Sequence, residues 1–66
     1  MTKFGERLKE LREARGMSQF ELAAEAGTDQ SNISAYEIHG VQPRLEQIEA
    51  LAKALKIRSS VLLSVL

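Results

Sequence analysis

A 66-residue chain with no cysteine has no covalent staple available, so its fold must rest on non-covalent packing. A chain this short buries only about 60% of the surface that its unfolded form exposes, close to the lower limit for folding alone. Domains at that limit use disulfides, a metal, very regular helix packing or a partner subunit. His39 is the only histidine, so a Cys/His metal cluster cannot be assembled. Regular helices and a second copy of the chain remain. The same shortage of reactive side chains argues against an enzyme, because no triad can be built and no P-loop or glycine-rich dinucleotide turn is present. No cofactor, metal or catalytic residue is expected.

Apolar residues recur at helical spacing along almost the whole chain. Phe4, Leu8 and Leu11 predict a helix over Thr2–Arg15, with Thr2 as its cap and Gly16 as its stop. Ser18 and Glu21 stand three apart, the spacing of a capping box, and open a second helix from Gln19 to Ala26 that Gly27 ends. Thr28 or Asp29 then caps a third helix, Gln30–Ile38, with Ile33 and Tyr36 inward. After a loop, Pro43 suits the first turn of a fourth helix over Arg44–Leu55, whose inner stripe is Leu45, Ile48, Leu51, Ala52 and Leu55. A short fifth helix follows Ser59 or Ser60. No segment alternates as a strand would, so the expected class is all-α, five helices in one domain spanning 1–66.

Formal net charge is zero, which counts against a nucleic-acid partner. The cations are unevenly placed, however: Lys3, Arg7, Lys9, Arg12 and Arg15 all lie in the first fifteen residues. No signal peptide is expected, since charges interrupt the N-terminal apolar residues, and Val61–Leu66 is too short to span a bilayer. These features predict a soluble, cytoplasmic protein with no membrane association.

The short second helix and the turn Ala26-Gly27-Thr28-Asp29 have the form that joins two helices at roughly 90–120° in a helix-turn-helix. On these facts alone, an ordinary helical corner in a small bundle explains them equally well. Resemblance separates the two. Phe4-Gly5-Glu6-Arg7-Leu8, Leu11 through Gln19, Glu21-Leu22-Ala23, Ala26-Gly27, Ile33-Ser34, Tyr36-Glu37 and Leu51 through Leu55 together resemble the Cro/C1-type (XRE-like) helix-turn-helix family in one ungapped register. The resemblance implies a lambda-repressor-like fold with the helix-turn-helix at helices two and three. It also implies a sequence-specific transcriptional regulator, a repressor or controller, that binds a palindromic operator in double-stranded DNA as a homodimer.

Carried over residue by residue, the resemblance makes Gln19 a phosphate ligand that braces the recognition helix. Gln30, Ser31, Ser34 and Ala35 fall on the outward face, toward base edges, with Gln30 suited to bidentate pairing with adenine. Asn32 and Ser34 are left as alternatives for phosphate or solvent, and Arg44 is the main cation available to the DNA backbone ahead of the fourth helix. Arg12 and Glu37 match a structural ion pair, with phosphate binding by Arg12 as its second role. Departures are as informative. The third helix contains no Lys or Arg, Asp29 fronts it, and Gly40 comes one place later than in the family, leaving His39 at the customary position. The grip on phosphates must then come from elsewhere, and a second subunit is needed.

The C-terminus supplies that need. Val61, Leu62, Leu63, Val65 and Leu66 make a helix apolar on every side, of which Leu51 and Leu55 cover only one. Val61, Leu62, Val65 and Leu66 are therefore expected to form a two-fold interface, unless a further domain covers them. Phe20 is another apolar surface candidate. The rival function is an antitoxin of the same fold, a protein-interaction module whose partner is a toxin and whose DNA binding is secondary.

Overall fold

The computed structural model describes residues 3–66 and contains five helices: α1 (Lys3–Ala14), α2 (Gln19–Ala26), α3 (Gln30–Glu37), α4 (Leu45–Leu55) and α5 (Ser59–Leu63). No strand occurs among the described residues, so the all-α, five-helix expectation holds. The Thr2 cap lies outside those residues. None of the helices is long and apolar enough to cross a membrane.

Phe4, Leu8, Leu22, Ile33, Ile48, Leu51, Leu55 and Leu62 close into one core. Around it α2 packs on α3 and α4, α4 packs on α5, and α1 lies against α3 and α5. The capping box at the start of α2 forms as its spacing requires: the Glu21 amide donates to Ser18 Oγ at 3.0 Å and the Ser18 amide to Glu21 Oε1 at 2.8 Å.

Three helix ends share one device. Gly16, Gly27 and Lys56 adopt left-handed backbone conformations, with φ of 66°, 71° and 58°. In each case the next amide reaches back over the turn: Met17 to the Arg12 carbonyl at 3.1 Å, Thr28 to Ala23 at 2.9 Å and Ile57 to Ala52 at 2.9 Å. Glycine takes this conformation without steric cost, but Lys56 does not. Replacing Lys56 with glycine should therefore stabilise the domain by about 1 kcal/mol. Thermal melting should show this as a rise of roughly 4–8 °C. An unchanged or lower midpoint would mean that the lysine side chain contributes more than its backbone strain removes.

Three local expectations fail. Pro43 is buried two residues ahead of α4, and Arg44, not proline, leads into the helix, its amide donating to Gln47 Oε1 at 2.9 Å. Leu45 shares a face with Ile48 yet is 56% exposed, because a helix stripe is buried only where neighbouring elements cover it. Leu62 is fully enclosed, at 0% exposure. It is the inward position of the single turn that packs on α4, so it belongs to the core and is unavailable to a subunit interface.

Candidate nucleic-acid interface

The site is built from α2, the turn at Gly27 and α3. Ala23 is buried where the two helices meet, small enough to let them approach, and Gly27 turns the chain sharply between them. Asp29 caps α3 in an extended conformation but makes no side-chain cap hydrogen bond. The turn is instead tied by Asn32, whose Nδ2 donates to Thr28 Oγ1 at 2.7 Å. At the far end of α3, the amides of His39 and Val41 both donate to the Ala35 carbonyl, at 3.1 and 3.2 Å. The recognition-helix candidate is thus tied at both ends.

Its inner face is locked by charge. Glu37 is only 1% exposed, and three donors from two other helices converge near it. Arg12 Nε donates to Glu37 Oε2 at 2.8 Å and Arg12 Nη2 to Oε1 at 3.0 Å, a bidentate fork. Gln19 Nε2 adds a third bond to Oε1 at 3.1 Å. The remaining Arg12 nitrogen, Nη1, donates to the Met17 carbonyl at 2.7 Å. The hydrogen bonds that Arg12 donates to the Glu37 carboxylate hold its pKa above the ordinary value, against the opposing effect of burial. With every guanidinium nitrogen engaged and the residue 8% exposed, Arg12 is scaffold. A phosphate contact by Arg12, its expected second role, would have to use the second N–H of Nη1 or Nη2.

The outer face of α3 differs. Gln30 and Ser31 are exposed, Asn32, Ser34 and Ala35 are half-buried, and no cation interrupts the helix. Arg44 is exposed at the start of α4. Gln19 is half-buried at the first residue of α2, its amide pointed at Glu37. On α5, Val61 and Val65 are half-buried while Leu63 and Leu66 are exposed. Ile38 and Val41, for which no surface role was expected, stand exposed between the end of α3 and the start of α4, together with Leu45, which was expected to face inward. Val41, in a loop between Gly40 and Pro43, was the one signal available. Among the described residues no group of His, Cys, Asp and Glu could hold a metal ion.

Two short helices joined by a left-handed glycine, with one face of the second locked and the other bare, define a helix-turn-helix. The chain belongs to that family, whose profile matches residues 8–62. It is 43% identical to the restriction-modification controller protein C.AhdI from Aeromonas hydrophila, with 92% of each chain covered and a TM-score of 0.88. The DNA-binding domain of the P22 c2 repressor is 31% identical over 96% of this chain and 86% of that one, with a TM-score of 0.86. The P22 c2 repressor in complex with a synthetic operator is 29% identical, with 94% of each chain covered and a TM-score of 0.84. No curated protein sequence matches significantly. The chain is a DNA-binding transcription regulator with a repressor-like five-helix fold.

Proposed function

We propose that the chain represses or controls transcription by binding a palindromic operator as a homodimer, with residues 1–66 acting as one DNA-binding domain and α5 as its dimer surface. The observation that carries this is the division of α3 into a face locked through Glu37 and a face that leaves Gln30 and Ser31 exposed. A helix immobilised from behind holds its outer side chains in the geometry that base readout needs. The P22 c2 repressor, seen with its operator, has the same fold and supports the same class of ligand.

In this arrangement Gln30 pairs with a base edge, Ser31 and Ser34 offer hydroxyls, and Ala35 offers a methyl. Gln19 and Asn32 each keep one amide N–H beyond the bonds already described, for phosphate oxygens, and Arg44 supplies a cation at the flank. These are few charges for a DNA ligand whose affinity rests largely on phosphate contacts. Two copies double them. The two-fold surface is formed by the outward edges of Val61, Leu63, Val65 and Leu66, which sets two recognition helices roughly 34 Å apart on DNA. An operator-DNA ligand fits a cytoplasmic protein.

Sedimentation and operator binding test the proposal together. Leu66 is 52% exposed, so Leu66→Glu leaves the core intact. It should convert a dimer to a monomer and weaken binding to a duplex selected from a random pool. An unchanged mass would remove α5 from the interface. No salt-sensitive binding of the wild-type chain at micromolar concentration would overturn the operator proposal itself.

A further inference from the structure

Phe20 occupies the second residue of α2 and is 67% exposed, the most exposed large apolar side chain among the described residues. It takes no part in the core, so folding does not account for an aromatic ring there. Its surroundings are specific. Phe20 and Gln30 border the same open depression, about 280 Å³ in volume, with Ala23 and Ala24 as its apolar part and Thr28 and Asp29 on the turn between the helices.

We infer that Phe20 reads DNA beside Gln30, its ring packing on the 5-methyl group of a thymine next to the base that Gln30 pairs with. This rests on the proposal that α3 enters the major groove with Gln30 at a base edge. Whatever lies against Gln30 also faces the depression that Phe20 borders. Among the groups that base pairs present in the major groove, the thymine methyl is the one apolar group. The phosphate backbone is a poor alternative, because Asp29 sits on the same rim and repels it while the ring offers it no hydrogen bond. Phe20 therefore adds apolar discrimination to a helix whose other base readers are an amide, two hydroxyls and one methyl.

The test uses the intact chain and a duplex selected from a random pool, with each thymine of the half-site replaced in turn by 2′-deoxyuridine. Removing one buried methyl should weaken wild-type binding about four-fold per half-site, or about fifteen-fold when both half-sites are changed. The effect should fall at one thymine, adjacent to the base whose preference Gln30→Ala relaxes. Phe20→Ala should bind thymine and deoxyuridine duplexes equally at that position, retain the preference due to Gln30, and melt at the wild-type temperature. Deoxyuridine sensitivity that persists in Phe20→Ala would assign the methyl to another residue and overturn the inference. So would wild-type binding by Phe20→Ala, which would leave this face to a protein partner. If Gln30→Ala relaxes no base preference, or no sequence is enriched from the pool, the groove placement fails, and that outcome is independent of Phe20.

Discussion

Arg12→Ala should destabilise the domain by about 3–5 kcal/mol, because it strands a buried carboxylate whose one remaining side-chain donor is Gln19. Small domains have only about 5–15 kcal/mol in total, so most of the variant's margin would disappear. Urea titration measures the loss directly. Arg12→Lys should fall between, since an ammonium restores the charge but not the bidentate fork that grips both Glu37 oxygens. A loss below about 1 kcal/mol for the alanine variant would place the pair with solvent-screened surface bridges and contradict the enclosure of Glu37. The same substitution should weaken operator binding, because α3 loses its anchor to α1.

Gly5→Ala is the second large effect, and its origin is steric. A Cβ on Gly5 would stand 2.5 Å from the Tyr36 carbonyl oxygen and 2.7 Å from that of Glu37. Both are backbone atoms at the end of α3, so neither can rotate aside, and α1 must move outward. Overpacking of this kind costs about 1–3 kcal/mol, and the rigid obstacle puts Gly5→Ala at the upper end. Melting should fall by at least 10 °C, given roughly 4–8 °C per kcal/mol in a domain this size. A fall of a few degrees or less would mean that α1 and α3 are held less closely than the structure has them. Gly5 and Arg12 lie on the same helix and fasten it to the same carboxyl-terminal end of α3, so their combined effect should be less than additive.

What could be read in the sequence was local. Ser18, Glu21 and Gly27 carry their roles in their own chemistry and spacing, and the boundaries of α2 followed from them. Gly5 carries no such mark: within a helix it reads only as a weakening residue, and its reason is a carbonyl contributed by another helix. Lys56 ends α4 in a conformation that signals itself in a sequence only when glycine adopts it. Leu45 and Leu62 show the limit of periodicity, which marks a shared face but not how far neighbours extend over it. At the site, the pairing of Arg12 with Glu37 came from family resemblance. That Gln19 also bonds Glu37, making one carboxylate the meeting point of three helices, required the structure.

The locked inner face of α3 also bears on how such a regulator diverges. Gln30 and Ser31 contribute nothing to the core, and substitutions at exposed positions of this kind usually change stability by no more than about 0.5 kcal/mol. A duplicated copy of the gene could therefore drift at these two positions and acquire a new operator without first losing its fold. A library randomised there would yield proteins that melt together and bind apart, with specificity and foldability inherited as separate traits.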